Sequence, residues 1–449
     1  MIFRRRLLLT ALAAFLVSAT IAKEGSTSAF SLNDAKAYAI ENSYMAKNAV
    51  RDVEIAKRKI KETAAIGLPQ VNGTVDFQNF IEIPTSLVPS NAFNPAAPAD
   101  EFTALQFGTD YNITAGLSVS QLIFDGSYIV ALQATRTYLE LSKNAKEKTE
   151  IEIASGITST YGMVLIAEKN LTILEGNITN LDKMLSDTKA LYENGFAEEQ
   201  DVEQLRFSLG NLKNTQNATK KQIEVAYNLL KFQMGIPIED EITLTDNLEV
   251  LLGAAAFGEG LGQEVNVENH IDYKMSLTSL VNQELMLKNS KAGFLPSLSG
   301  FFNYQSSYLG NDLDFANNSW YPTSLWGLSL KVPIFSSLMK HQQVQQSKLE
   351  LEKTQNNLEL TKYNLTVEAM NAQIEYTNNV NAMNLQKENV RLADKIAKNT
   401  EIKFVEGMAS SLELTQAQTQ QLSAQGGYIS AMFNVINAKT KLEKALGTK

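Results

Sequence analysis

All nine prolines of this chain lie at 69, 84, 89, 95, 98, 237, 296, 322 and 333, so the stretches 99–236 and 334–449 contain none. A proline inside a helix removes a backbone hydrogen bond and clashes with the preceding turn, at roughly 3 kcal/mol. Its absence from two such stretches permits very long helices, and apolar periodicity then decides whether they form.

The periodicity is present. Ile157, Val164, Leu171, Ile178, Leu185 and Tyr192 recur every seven residues, and Thr160, Ala167, Leu174, Leu181 and Thr188 each follow three residues after one of the first five. That is the a/d seam of a coiled coil. The second stretch carries a weaker series, Ala369, Tyr376, Met383, Val390, Ala397 and Phe404, preceded by Val344, Leu351, Leu358 and Leu365. The remainder is rich in Asn, Gln, Lys and Glu, which predicts helices wet on part of their circumference.

The pattern predicts helices over about 126–193 and 336–405, followed by second helices over about 197–234 and 409–446. Each long one measures on the order of 100 Å at 1.5 Å per residue. No single globular core buries such a rod, so it must pack along its length in an elongated helical assembly. Both long helices stop at matching points. YENGFAEEQDV (192–202) and FVEGMASSLEL (404–414) carry Gly195 and Gly407 in the fourth place, 212 residues apart (407 − 195). Glycine suits the left-handed conformation that ends a helix. An acid follows each glycine by six residues, Asp201 and Glu413, in the first turn of the next helix, where it stabilises the helix dipole.

Strand-like segments precede each long helix. Val71, Gly73, Val75 and Phe77 alternate with Asn72, Thr74, Asp76 and Gln78, while Leu328, Leu330, Val332 and Ile334 alternate with Ser329, Lys331 and Pro333. GLSVSQLIF (116–124) matches GLSLKVPIF (327–335), and LPQVNGTVDFQ (68–78) matches LPSLSGFFNYQ (295–305). Strands are therefore predicted at about 68–80, 111–124, 295–308 and 324–335. The longer connection, 81–110, is Pro-rich and reads as a loop. Alternation over about ten residues suits a transmembrane β-strand. A half-buried strand of a soluble sheet has the same period, but four strands beside such helices leave no soluble core to cover. Trp320, Tyr321 and Trp326 at the mouth of the last strand suit a membrane-interface girdle.

The expected fold class is mainly α with a membrane β-barrel portion, in an internal twofold repeat of strand, strand, long helix, helix. The first repeat spans 30–236, a connecting segment 237–270, and the second repeat 271–449. Four strands are too few to close a barrel, and an open edge in lipid leaves backbone groups unsatisfied. The chain must therefore oligomerise. Three copies give 12 strands, although closure alone does not choose three.

Residues 1–19 read as an export signal, with Arg4, Arg5 and Arg6, an apolar run from Leu7 to Val17, and a small-residue cleavage site ending at Ala19 or Ala22. About 11 apolar residues are too few to span a bilayer. The chain has no cysteine, and its two histidines, His270 and His341, are far apart, which leaves no thiolate site and no histidine cluster. Without the signal the chain holds 37 basic and 49 acidic side chains, a net charge near −12 (37 − 49) that argues against a nucleic-acid partner. GEGLGQE (258–264) lacks the Lys-Ser/Thr ending of a phosphate loop. No hydrolase, zinc-protease or triad pattern occurs, so the reading is not an enzyme, with no cofactor and no metal.

The paired strands, the twofold repeat and the tips at Gly195 and Gly407 together resemble the TolC-like outer-membrane efflux proteins over roughly 31–447. The resemblance implies a homotrimer with one shared 12-stranded β-barrel in outer-membrane lipid and an α-helical tunnel in the periplasm of a Gram-negative bacterium. It also implies an exit duct for efflux or type I secretion, working with a periplasmic adaptor and an inner-membrane pump. Segment 236–275 and the termini would form a belt around the tunnel. Tyr192, Gly195, Phe404 and Gly407 would form the adaptor-docking rim. In the family's tip motif the acid six residues after the glycine faces the pore constriction, which points to Glu413 first and Asp201 second. Some members carry a further acid three residues on; this chain has Gln416 there. The alternative from another class is a soluble periplasmic coiled-coil scaffold or adaptor, which needs no membrane-facing strands.

Overall fold

The computed structural model describes residues 28–447 apart from 94, 97, 99, 257–265, 315, 317 and 318. The expected signal at 1–19 and the GEGLGQE segment lie outside the described residues. The chain is mainly helical. Its elements run β1 (Ser28–Phe30), α1 (Leu32–Asn42), α2 (Tyr44–Ala65), β2 (Gln70–Asn79), β3 (Thr85–Pro89), β4 (Phe102–Gln106), β5 (Tyr111–Asp125), α3 (Gly126–Glu193) and α4 (Glu199–Met234). They continue with β6 (Ile242–Leu244), α5 (Leu248–Ala256), α6 (Ile271–Ala292), β7 (Ser297–Gly310), β8 (Trp320–Lys331), α7 (Met339–Val405) and α8 (Ser411–Leu446). Helices α1, α2, α5 and α6 stand where the sequence reading assigned no element.

These elements form two compact units, one from the described parts of Met1–Asn48, Lys148–Val267 and Leu365–Lys449, the other from Ala49–Glu147 and Glu268–Asn364. The second unit holds a four-stranded antiparallel sheet in the order β2-β5-β7-β8. Its register keeps like with like. Val71, Val119, Phe302 and Trp326 pair across one row, and Thr74, Gly116, Gln305 and Thr323 pair across another. Because side chains alternate along a strand, these rows lie on opposite faces, one apolar and one polar. The apolar face is exposed at Val71, Val75, Phe77, Leu117, Phe302, Trp326 and Leu328.

Strand β8 stops at Lys331, short of the predicted 335. Pro333 has no N–H to give a ladder, and Ser337 and Leu338 then turn the chain with φ of 47° and 68° before α7 begins. The 81–110 connection is more than a loop: β3 and β4 pair within it as a hairpin from Thr85↔Gln106 to Pro89↔Phe102.

The first unit is cored by the parts of α3, α4, α7 and α8 that belong to it. The heptad positions Ile157, Thr160, Val164, Leu174, Leu181 and Thr188 are buried, as are Ala369, Tyr376, Met383 and Ala397. One cluster gathers Ile157, Tyr161, Val164, Leu230, Tyr376 and Val435, with Ala35 and Ala39 of α1. Tyr161 is fully buried and ties the start of the described chain to the core. Its hydroxyl donates to the Phe30 carbonyl (3.0 Å) and accepts from the Asp246 N–H (3.2 Å). The Asp246 carboxylate in turn accepts from the Leu32 N–H at 2.6 Å. These bonds hold β1 and β6, which run parallel from Ser28↔Ile242 to Phe30↔Leu244. Burial pushes the Tyr161 phenol up to about 12.

Candidate functional site at the helix tips

The two helix tips share one backbone design. After α3, Gly195 takes φ +79°, its N–H bonds to the Tyr192 carbonyl (2.9 Å), and the Phe196 N–H reaches back to Leu191 (2.8 Å). After α7, Gly407 takes φ +71°, its N–H bonds to Phe404 (3.0 Å), and the Met408 N–H reaches back to Lys403 (2.7 Å). Both are Schellman caps, in which a left-handed glycine lets two N–H groups satisfy the last carbonyls of the helix.

The following helices start alike. Ser410 caps α8: its hydroxyl accepts from the Glu413 N–H (3.3 Å), while the Ser410 N–H donates to Glu413 Oε2 (2.8 Å). Glu198 and Asp201 form the equivalent box on α4, with the Glu198 N–H donating to Asp201 Oδ2 at 3.2 Å. Both acids therefore occupy N3 of a capping box and place a negative charge at a helix N-terminus. The Ser410 N–H holds the Glu413 carboxyl below the usual carboxylate range, with the Ser410 hydroxyl and the Lys403 charge adding to it.

The aromatic residues paired by sequence differ in their surroundings. Phe404 packs, half-buried, against the cluster of Leu174, Leu181, Met184, Leu205, Leu209, Leu212 and Leu414, whereas Tyr192 is exposed. The sequence reading missed the residue after each glycine: Phe196 is 81% exposed and Met408 67%, so both turns present an apolar side chain to solvent. A local signal existed, since both are large apolar residues directly after a helix-ending glycine.

A groove of about 540 Å³ in the first unit is lined by side chains of α3, α4, α7 and α8, including Asn177, Asn211, Asp394, Gln418 and Gln421. Asp394 Oδ1 accepts from Gln421 Nε2 (2.8 Å) and Gln425 Nε2 (3.3 Å), and Asn177 Nδ2 donates to Gln425 Oε1 (2.8 Å). This amide ladder joins three helices. Nothing in the local sequence marks Asp394, one acid among many on a polar helix. Among the described residues no group of three or more His, Cys, Asp or Glu could hold a metal, and no helix is long and apolar enough to cross a membrane.

In the second unit the three aromatics expected at the membrane interface do not share a face. Trp320 and Trp326 lie on the apolar face, paired with Tyr308 and Phe302, while Tyr321 pairs with Ser307 on the polar face. The tryptophans are six residues, or about 20 Å of strand, apart. The structure adds aromatic neighbours at the Trp320 end. Tyr308 lies 6.0 Å from Trp320 between ring centroids, and Phe77 stacks on Tyr111 at 6.2 Å.

Residues 287–448 match the family model described as outer membrane efflux protein. By that match and the likenesses that follow, the chain is similar to outer membrane efflux proteins. It is 22% identical over 347 residues to the probable efflux pump outer membrane protein TtgC of Pseudomonas putida, covering 76% of this chain and 69% of that one. It is 21% identical over 321 residues to the solvent efflux pump outer membrane protein SrpC of Pseudomonas putida, covering 70% and 66%. Among solved structures, CusC superimposes with a TM-score of 0.71 at 16% identity, covering 93% of this chain and 92% of that one. The Campylobacter jejuni CmeC outer membrane channel does so with a TM-score of 0.70 at 19% identity, covering 93% and 85%. These relatives and solved structures are named as outer-membrane efflux proteins and channels, and the soluble scaffold reading is not favoured. The family is one of channels rather than enzymes.

Proposed function

We propose that the chain is the passive exit duct of a tripartite pump, built as a homotrimer with one 12-stranded barrel. The observation that carries this reading is the four-stranded sheet with one apolar face and two open edges, β2 and β8. Each strand runs antiparallel to its neighbour, so β8 of one copy meets β2 of the next in antiparallel sense, and the alternation continues unbroken round a ring. In lipid only such closure satisfies the edge N–H and C=O groups. The apolar face turns to lipid, with Trp320, Phe77 and Tyr111 in one aromatic band and Trp326 and Phe302 in another. Tyr321 faces the lumen with Gln305 and Thr323.

The matched tips support the two halves as a twofold repeat and form the periplasmic end. Glu413 and Asp201 each occur three times in the assembly and give the constriction a negative field that favours cations. The tip turns at Gly195 and Gly407, with Tyr192, Phe404 and the exposed Phe196 and Met408, receive the periplasmic adaptor, and the inner-membrane pump supplies the energy. The relatives named for toluene, solvent and antibiotic efflux favour small-molecule cargo over polypeptide.

The test is detergent-purified protein measured by light scattering and in planar bilayers. A trimeric mass with cation-preferring conductance is expected. A monomer recovered from the soluble periplasm would overturn the proposal.

A further inference from the structure

In the second unit, helices α2, α3 and α6 leave a groove of about 380 Å³ between them. Each helix gives it one stripe. Ile55, Lys59 and Thr63 line it from α2, and Asn282, Met286 and Asn289 from α6, at the three- and four-residue spacing of a single helix face. On α3, Ala131 and Ala134 line it beside Val130 and Tyr138, and these two methyl side chains leave the space open. Bonds between the helices fix the spacing. The Tyr128 hydroxyl donates to the Ala64 carbonyl (3.1 Å), and Lys288 Nζ donates to Gln133 Oε1 (2.9 Å). One polar atom within this mostly apolar wall is unanswered: Asn289 Oδ1 is buried and accepts no hydrogen bond. Folded proteins satisfy nearly all buried polar groups, because an unmatched one keeps its desolvation cost. Water answers it poorly, since a buried water needs about two to four polar partners.

We infer that this groove binds a neutral aromatic molecule of one or two rings that carries a hydroxyl group. The rings fill the apolar space and the hydroxyl meets Asn289. A hydroxyl both donates and accepts, so it serves whichever way the amide is turned. The Tyr138 ring and the Met286 thioether both favour an aromatic body over an aliphatic one. Size agrees: a cavity of about 150 Å³ already holds benzene, and small-molecule sites begin near 300 Å³. Charge agrees as well. Lys59 pairs with Glu62 (2.8 Å) and the neighbouring Arg58 with Glu54 (3.2 Å), so the mouth offers no surplus charge to an ionic ligand. The inference deepens the exit-duct reading by naming a class of cargo, and it rests on that reading for this role, while binding itself is measured without transport.

The probes are two photoreactive ketones, para-(hydroxymethyl)benzophenone and para-methylbenzophenone, which differ only by the hydroxyl oxygen. Each is irradiated with the full-length protein in lipid nanodiscs, and labelled peptides are mapped by mass spectrometry. The alcohol is expected to label Met286 and residues 130–138 saturably. Its half-saturating concentration should be at least about tenfold below that of the methyl compound, which leaves the amide unmatched. Asn289→Leu should erase that difference, and Ala131→Phe, which fills the groove, should abolish labelling of Met286 by both. Equal labelling by the two probes in the wild type makes the groove a general apolar or lipid site and overturns the inference. So does label spread along the apolar face of the sheet with none at Met286, or label at Met286 that Ala131→Phe leaves unchanged. If Ala131→Phe fails to fold, the ratio between the probes and its loss in Asn289→Leu decide. A chain that proves monomeric and non-conducting removes the exit-duct reading but not the probe ratio, and a failed ratio leaves the duct untouched.

Discussion

Replacing Gly407 by alanine isolates the backbone cost of the tip. The residue sits at φ +71°, and a Cβ built there meets nothing within 4 Å, so no steric contact adds to the conformational term. An L-residue in the left-handed region costs about 1–2 kcal/mol, and stiffening of the unfolded chain returns about 0.4–1 kcal/mol. A net loss of about 1 kcal/mol follows, or roughly a fivefold rise in local opening. The assay is hydrogen exchange of the Gly407 and Met408 amides, which are bonded to the Phe404 and Lys403 carbonyls. Gly195→Ala should behave alike, since its φ is +79° and its surroundings are equally open. Gly407→Asn should lose less, because asparagine tolerates this conformation. Gly235, which ends α4 at φ +76°, supplies the contrast: a Cβ there lies 2.7 Å from the Asn42 carbonyl oxygen and 3.1 Å from Ser43 Cα. Backbone cannot step aside as a side chain can, so Gly235→Ala adds about 1–3 kcal/mol of overpacking. Equal losses at 407 and 235, or asparagine no better than alanine at 407, would refute the reasoning.

Tyr161→Phe leaves the Phe30 carbonyl and the Asp246 N–H without that partner and should cost about 2 kcal/mol, read as faster amide exchange across 28–32 and 242–246. The Tyr161 phenol sits at about 12, above its ordinary 10, so its contribution is complete below pH 10 and is lost as pH rises through 12; wild type should lose protection there and Tyr161→Phe should not. Glu413 has the opposite sign. Its folded value lies below the ordinary 4.5, so the α8 cap is intact above that pH and weakens as pH falls through the lowered value, and exchange at 410–414 should rise only in that acid window. Glu413→Ala with Asp201→Ala should reduce cation preference and weaken block by multivalent cations in planar bilayers, and unchanged selectivity would remove both from the constriction.

Much of this was legible because the signals are local. Seven-residue spacing from Ile157 to Thr188 reports a buried helix seam wherever the partner lies, and proline-free sequence ending in glycine reports where a helix stops. Other features depend on contacts distant in sequence. Tyr161 stands one residue from the seam position Thr160, and only the arrival of Phe30 and Asp246 makes it a clamp. Tyr192 and Phe404 occupy equal places in the pattern, yet only Phe404 finds a leucine cluster to pack on. Tyr321 sits between two tryptophans in sequence, and the strand pleat turns it to the opposite face.

The sequence by itself determined which segments alternate with period two, which repeat with period seven, and where glycine and the capping acids end one helix and begin the next. Each of these is governed by sterics and hydrogen bonds within a few residues. The tertiary structure decided that β5 and β7, from opposite halves of the chain, adjoin at the centre of the sheet and leave β2 and β8 as its edges. It also decided that Ala369, Tyr376 and Met383 of α7 are buried while Val367, Met370 and Ile374 on its other side stay exposed. Both sets satisfy the same local rule, and burial depends on which side the other segments of the fold cover.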